Sequence, residues 1–380
     1  MTGNKYSLIQ FAGPPPAGHP LPEPSDAVRT FVFMANLAAQ EASGDPAAST
    51  SPERVLHRLR GSSESTAYIF GVVDAAQDPL PPAELSELGF PLVPSTGDCP
   101  EYNFVGFLHL NLPLLEETAN AELEGVLDVD FLPLPGQCLE PDAAALAEWM
   151  IQKGTQVARE LGRSTVQSGT LSPAQSQQDT DAFRPALEAA GFQVKHIEDQ
   201  FLIPIAHPAP SALLPHGIAV EVWEDYDIAK SYLDAVLDLL TIASSDSLTG
   251  DLSVEPIQWT RQRLAEAHAR LRSRRSHTLL VALVDVSAPG RILSMTELGR
   301  HEAADPHVAE WTITVTARER RREGLATLAK ISALQAITER WPEVTKTFCS
   351  VGHADKAMQS ICTGLGAVPI STSAAWELHS

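Results

Sequence analysis

The chain has little of what a secreted, metal-bound or nucleic-acid-binding protein of its length relies on. Only four of its 380 residues are cysteine. Cys99, Cys138, Cys349 and Cys362 are scattered, with no C-x-x-C pair among them. That pattern excludes a disulfide framework and a cysteine-rich metal site, and makes a reducing cytoplasm the default compartment. Positive charge is scarce too, since 27 Lys and Arg face 48 Asp and Glu, for a net charge of −21. A general nucleic-acid binder needs a basic face, so that class is set aside. No apolar run approaches the ~18 residues of a membrane span. The opening stretch, MTGNKYSLIQFAGPPP, lacks the basic start and continuous apolar segment of a secretory signal.

What is present is ordinary for a globular protein, with 44% apolar residues. The length suits two domains. Abundant Ala, Arg and Pro with few Lys match the usage of a high-GC bacterium. The stretch Ala206–Pro215, AHPAPSALLP, is rich in Pro and small residues between two strand-like runs. It marks a linker at 206–216, between domains spanning 1–205 and 217–380.

The second half reads as strand, two helices, three strands, helix, strand, helix, strand. Ile218–Trp223 alternates apolar and polar positions, and Ile228–Thr241 and Trp259–Arg272 carry helical spacing. Thr278–Val286 and Ile292–Leu298 flank Pro289-Gly290, a hairpin signal. Val308–Thr316 then leads into the most informative segment of the chain, Thr312–Lys330, TITVTARERRREGLATLAK. It reads as a strand, a sharp basic turn and a helix. Such a turn leaves several backbone N–H groups unpaired, and the helix behind it adds partial positive charge. The result is a pyrophosphate cradle. Gly324 lets the backbone approach a ligand closely, and Arg318, Arg320, Arg321 and Arg322 surround the turn with charge.

Arg321-x-x-Gly324-x-Ala326 after a β-branched strand resembles the Q/R-x-x-G-x-G/A motif of the GNAT N-acetyltransferases. The elements that follow keep the order of that family: a long helix, a strand at Val344–Ser350, a helix near Asp355–Thr363, the turn Leu365-Gly366-Ala367 and a last strand. The resemblance implies an α/β fold with a mixed, mostly antiparallel central sheet flanked by helices. It also implies acetyl-CoA as cosubstrate, with its pyrophosphate on Arg318, Arg321, Arg322, Glu323, Gly324, Leu325, Ala326 and Thr327. The backbone of Ile313, Thr314 and Val315 would face the acetyl carbonyl, and Asp355 would lie near the CoA arm.

The first half repeats the plan more loosely. Tyr6–Phe11, Tyr68–Asp74, Asn103–Asn111, Leu123–Phe131 and Ser164–Ser168 read as strands. Asp26–Gln40, Pro52–Arg60, Ala143–Leu161 and Asp181–Ala190 read as helices. Pro79–Pro100 reads as a surface loop, and Asp142 as a helix N-cap. Leu187-Glu188-Ala189-Ala190-Gly191-Phe192 echoes Cys362-Thr363-Gly364-Leu365-Gly366-Ala367. This is the arrangement of two GNAT-like domains in tandem, similar to mycothiol synthase-like actinobacterial proteins. The first copy is degenerate where the cradle belongs. Leu132–Pro141 holds three prolines that remove N–H donors, the single Gly136 and no Arg. No tight pyrophosphate binding is expected there.

Acetyl transfer needs a group to take the amine proton and a way to stabilise the leaving thiolate. Glu310, eleven residues before Arg321, is the leading base candidate. Strand alternation puts it with Thr312, Thr314 and Thr316, opposite Trp311, Ile313 and Val315. Partial burial beside Trp311 would raise its pKa. Glu297, His301 and His307 are secondary candidates. Where many members of the family carry an acidic Tyr, this sequence has Cys362, which becomes the candidate acid.

The reading is an acetyl-CoA-dependent N-acetyltransferase of a small-molecule amine, acting by direct transfer without metal, nucleic acid or membrane. The net acidity favours a cationic acceptor. The alternative is a non-catalytic acyl-CoA-binding or sensory protein of the same fold, which the missing Tyr favours.

Overall fold

The computed structural model describes residues 5–16, 21–45, 49–75, 84–133, 138–174, 181–206, 213–302 and 305–379. The elements run β1 (Tyr6–Phe11), α1 (Asp26–Ser43), α2 (Pro52–Arg60), β2 (Ser65–Asp74), β3 (Leu92–Val93), β4 (Phe104–Pro113), β5 (Asn120–Leu127), α3 (Pro141–Glu160), β6 (Thr165–Pro173), α4 (Arg184–Ala189) and β7 (Gln193–Pro204). They continue with β8 (Ile218–Glu224), α5 (Leu233–Ser245), α6 (Arg261–Ser273), β9 (Ser276–Asp285), β10 (Ile292–His301), β11 (Val308–Thr316), α7 (Leu325–Arg340), β12 (Lys346–Gly352), α8 (Lys356–Gly364) and β13 (Val368–His379). No helix among the described residues is long and apolar enough to cross a membrane.

By their contacts the residues form two compact units. One takes Met1–Ile197, Gly250–Val254 and Ser371–Ser380, and the other takes Glu198–Thr249 and Glu255–Ile370. In the first unit the strand order is β3-β1-β2-β4-β5-β6-β13. In the second it is β7-β12-β11-β10-β9-β8. Pairing is antiparallel except at β1–β3, β5–β6 and β11–β12. This is the mixed, mostly antiparallel sheet expected from the sequence.

Each unit buries both faces of its sheet under helices. In the first, Phe70, Leu108, Leu110, Leu123, Leu146 and Met150 fill one side, and Phe11, Val28, Phe31, Leu56, Ile69 and Phe107 fill the other. In the second, Leu279, Val281, Leu298 and Trp311 pack on Ala333 and Ile337 of α7. On the opposite side, Leu280, Ala282, Met295 and Val315 meet Val236 and Leu240 of α5. Each fully buried Leu or Phe contributes about 1.5–3 kcal/mol relative to exposure. Helix entries follow local chemistry. Ser25, Ser51 and Thr260 accept from the third residue on, capping α1, α2 and α6.

The two units exchange strands. Glu198–Pro204 of β7 pair with β12 in the second unit, and Ser371–His379 of β13 pair with β6 in the first. A short segment of the α5–α6 connection joins the first unit as well. There Ser253 donates its N–H and its hydroxyl to the carboxylate of Glu377 at 2.8 and 3.0 Å. Gln167 adds a third bond at 2.8 Å, and Asn120 donates to the Ser253 carbonyl at 2.6 Å. Burial works against the Glu377 charge, but these donors outweigh it and hold the carboxyl below its ordinary range.

Three local expectations change. The strand read at Leu123–Phe131 begins earlier and ends at Leu127, because the Asp128 side chain accepts the Asp130 N–H and turns Val129–Phe131 into a 3₁₀ turn. Within the loop read at Pro79–Pro100, Leu92–Val93 pair with Gln10–Phe11. Asp142 does not cap α3. The N-cap is Glu140, because Pro141 takes the first helical position. Gly136 and its immediate neighbours lie outside the described residues, as do 207–212 of the linker.

Candidate functional site

Strand β11 sets the geometry. Along β10 it is paired from Glu310 to Thr316. Along β12 the parallel pairing covers only Val308–Glu310 with Lys346–Phe348. Beyond Glu310 the two strands part, leaving β11 an open edge of backbone donors and acceptors at Ile313, Thr314 and Val315. The opposite edge is held rigidly. Ser294 and Thr296 bond Thr316 and Thr314 through their hydroxyls at 2.9 and 2.7 Å, and also donate to the Val315 and Ile313 carbonyls.

The pairing with β10 slips between Glu297 and Leu298. A bulge at Thr312 therefore changes the facing of the strand. Trp311 packs toward α7, whereas Ile313 and Val315 pack toward α5. The simple alternation read from the sequence, with those three on one face, does not hold. Trp311 also donates its ring N–H to Thr347 at 2.8 Å.

The chain leaves β11 through a 3₁₀ turn at Arg318–Arg320 and enters α7 at Gly324. Arg322 and Gly324 both lie in the left-handed region, at φ 70° and 78°. Gly324 is the N-cap and supplies no side chain, so the first turn of α7 starts uncapped. Successive N–H groups in such a turn form an anion-binding concavity at the positive end of the helix dipole. A side chain at Gly324 would point into open space but would strain the backbone. Leu325 is buried beneath the turn and anchors it, with Ala326 and Thr327 partly exposed beside it.

The arginines are not idle. Arg318 grips Asp246, the residue that follows α5, with two bonds at 2.9 and 2.5 Å, and Arg321 adds a third at 2.5 Å. Asp246 is held far below the usual carboxylate range, first by Arg318 and then by Arg321. Arg320 pairs with Glu323 at 2.7 Å. Asp246 thus occupies, with its own carboxylate, guanidinium groups that an external phosphate would use. An open cleft of about 400 Å³ borders this loop at Ala317 and Glu319, between α5 and the turn before β10. None of the acid or base candidates lines it.

Those candidates fall in different surroundings. Glu310 is exposed, so the partial burial expected for it beside Trp311 is absent. The buried carboxylate is Glu297, 3% exposed in β10. Thr312 donates to its Oε1 at 2.6 Å. Burial pushes the Glu297 carboxyl above its ordinary range, against the pull of the Thr312 and Tyr226 hydroxyls. His301 meets Ser276 at 2.5 Å, and the exposed His307 meets the Glu343 carbonyl at 2.8 Å. Asp355 caps α8 by accepting the Met358 N–H at 2.9 Å.

Cys362 is fully buried, with its sulfur 3.7 Å from that of Cys349. The hydrogen bond between them draws the Cys362 thiol below the usual range and pushes Cys349 up. Close by, Lys330 of α7 is buried with its ammonium 3.8 Å from the Trp311 ring centre. Burial lowers its pKa. Lys330, Tyr226 and Asp246 were not singled out from the sequence. For Lys330 a signal existed: a lone cation inside the apolar run Leu325–Leu334. Asp246 carries no local signal, because its role depends on a loop some seventy residues away.

Solved structures match along almost the whole chain. A tandem GNAT protein from the clavulanic acid biosynthesis pathway, solved without acetyl-CoA, aligns with a TM-score of 0.65 at 17% identity over 98% of both chains. A GCN5-related N-acetyltransferase from Sphaerobacter thermophilus aligns at 0.60 and 15% identity, covering 98% of this chain and 95% of that one. The glucosamine N-acetyltransferase region of a fungal multi-domain GH3 β-N-acetylglucosaminidase aligns at 0.56 and 9% identity, over 98% of this chain and 38% of that one. No family sequence model matches the chain, and no curated protein sequence does. The polypeptide has the tandem GNAT fold.

Proposed function

We propose that this tandem GNAT chain is an acetyl-CoA-dependent N-acetyltransferase that acts on a small-molecule amine by direct transfer. The observation that carries the reading is the uncapped, left-handed turn Arg321–Gly324 at the start of α7, beside an open edge of β11. Residues 217–380 would form the catalytic domain, and residues 1–205 a degenerate copy joined by the 206–216 linker. The pyrophosphate would lie on the N–H groups of Arg321 to Ala326, with Arg318, Arg321 and Arg322 around it and Thr327 within reach. The acetyl carbonyl would meet the backbone of Ile313–Val315. A neutral amine then attacks the thioester carbon and the C–S bond breaks. Removal of the amine proton falls to a carboxylate on the α5 side of β10–β11, where Glu297 and Glu310 both stand. Protonation of the thiolate falls to Cys362 or to water. The enzyme would work in the cytoplasm, where acetyl-CoA is at hand, and the composition suits a bacterium. The clavulanic acid pathway protein of the same fold supports a small molecule as acceptor.

The test is calorimetric titration of acetyl-CoA into the wild type and Gly324→Glu. One site, lost in the variant, is expected. No binding to the wild type would sink the reading, and two sites would show that the first domain also binds.

A second reading, a non-catalytic acyl-CoA sensor, is favoured by one observation. Cys362 stands where the family's Tyr belongs, and it is fully buried against Cys349. Acetyl-CoA binding with no turnover on any amine would select it.

A further inference from the structure

Three devices in the second unit converge on one carboxylate, that of Glu297. The first is burial. Glu297 alternates with Met295 on the α5 side of β10, a position that should be apolar. Its Oε1 accepts from Thr312, but its Oε2 is buried with no hydrogen-bond partner among the described residues. A buried carboxylate oxygen left unpaired keeps its full desolvation cost. The second is the bulge at Thr312, which turns that hydroxyl toward Glu297 when regular alternation would not.

The third is backbone strain. Asp225 and Tyr226, which follow β8, both lie in the left-handed region, at φ 49° and 61°. Neither is glycine, so each is strained and the surroundings must hold it there. They do. The Asp225 carboxylate accepts the Thr278 N–H at 2.9 Å and meets His277 at 3.0 Å. The turn is closed by the Asp227 and Ile228 N–H groups on Glu224 and Tyr226 carbonyls, each at 2.8 Å. Its product is the position of Tyr226. Burial and then the Glu297 charge push that phenol well above its ordinary range.

We propose that Glu297 is the acceptor site of the transferase: its free oxygen receives the substrate's ammonium and removes one proton from it. The inference rests on the acetyl-transfer reading and adds the acceptor class, an aliphatic amine that is a cation at neutral pH. The Tyr226 ring is suited to wall such a cation.

Atoms balance as follows. One proton passes from the ammonium to Glu297. The amine nitrogen bonds to the acetyl carbon as the C–S bond breaks. A second nitrogen proton ends on the CoA thiolate, and Glu297 later releases its own proton to water. A base with a pKa raised toward neutrality suits this task. The charged groups around it are few. Tyr226 faces it, Arg270 of α6 acts on Tyr226, and Glu310 stands further along on the same side of β11. The residues that α5 buries are the apolar Val236, Leu237, Leu239 and Leu240.

The experiment compares wild type, Glu297→Gln and Glu310→Gln on 2-phenylethylamine and spermidine, which are cations near neutral pH, and on p-anisidine, which is neutral there. For the two cations, Glu297→Gln is expected to lose about 10²–10⁴ in kcat/KM, the range for a general base. The acid limb of the pH profile should disappear, while acetyl-CoA binds as before. The neutral arylamine needs no prior deprotonation and should be largely spared, and any loss in Glu310→Gln should be smaller than that in Glu297→Gln. Retained turnover of the cations by Glu297→Gln would overturn the proposal. So would a collapse in Glu310→Gln instead, or a wild type that binds acetyl-CoA yet neither binds nor acetylates any amine. Failure of the wild type to bind acetyl-CoA would remove the cofactor reading first, and this one with it. If Glu297→Gln does not fold, Tyr226→Phe carries the test. Loss of that nearby hydroxyl should move the acid limb to higher pH, and an unmoved limb would count against Glu297.

Discussion

The two units run through the same order of elements, and at one matching position each buries a titratable side chain. Counted back from the ends of β5 and β11, Glu124 and Ile313 occupy the same place, and their partners across the sheet are His109 and Glu297. His109 meets the Glu124 carboxylate at 2.9 Å, which lowers the Glu124 pKa. That ring therefore has a carboxylate partner on one nitrogen, while its Nε2 is buried with no hydrogen-bond partner among the described residues. Glu297 has only hydroxyl neighbours and faces no cation. The same contrast holds at the helix entries. Proline at the first position and Glu140 before it open α3, while an uncapped glycine opens α7 beside four arginines. The difference teaches where a ligand belongs. One unit gives its buried side chain a carboxylate partner from the neighbouring strand, and the other gives its buried side chain hydroxyl neighbours alone.

The strongest way to break the comparison is to move the first unit's residue into the second. Glu297→His should reduce transfer to cationic amines by about 100-fold or more, as loss of a general base does. Acetyl-CoA titration should be unchanged. Full activity in that variant would mean the two positions are interchangeable, and the contrast would carry no function.

A second test sets one buried carboxylate of each unit against the other. Glu377 has a lowered pKa, so its charge stabilises the fold above the unfolded value of about 4. That contribution fades as pH falls through the lower folded value. Glu377→Gln should therefore cost about 1–3 kcal/mol at neutral pH, as for a charged group in three buried hydrogen bonds, and the cost should shrink in acid. Glu297 has a raised pKa, so the folded state holds its proton more tightly and stability falls as pH climbs from about 4 toward that value. Glu297→Gln should raise the melting temperature at neutral pH, and the gain should vanish at low pH. Thermal melts across pH would read both signs. Equal signs would show that burial acts alike in the two units.

The smallest effect should sharpen the picture at the loop. Asp246→Asn removes the internal anion from Arg318 and Arg321. Acetyl-CoA affinity should rise about two- to fivefold, the range for exposed ion pairs, and the gain should shrink with salt. Weaker binding would show that Asp246 positions the arginines instead of competing for them.

Much of this was legible in the sequence because it is local. The Arg321–Ala326 turn and the hairpin at Pro289-Gly290 announce themselves through spacing and residue type, whereas the one cap read from the sequence, Asp142, gave way to Glu140. What escaped depends on long-range geometry. The bulge at Thr312 shifts register against β10, and no alternation count along β11 alone can locate it. The burial of Glu297 follows from α5 covering that face, and the exposure of Glu310 from lying beyond the cover. The contact of Asp246 with Arg318 joins segments that no periodicity links. Both terminal strands were readable as strands, but nothing in their pattern says which sheet takes them.

That exchange of strands bears on how the protein is made. A ribosome releases the first unit's residues early, yet β6 waits for Ser371–His379, synthesised after everything else in the second unit. The second unit takes no residue before Glu198. The usual sequence of folding during synthesis, in which the N-terminal body is finished first, is therefore closed to this chain. Its first unit is begun first and sealed last, and a translation product cut short before Ser371 would leave β6 without its β13 partner.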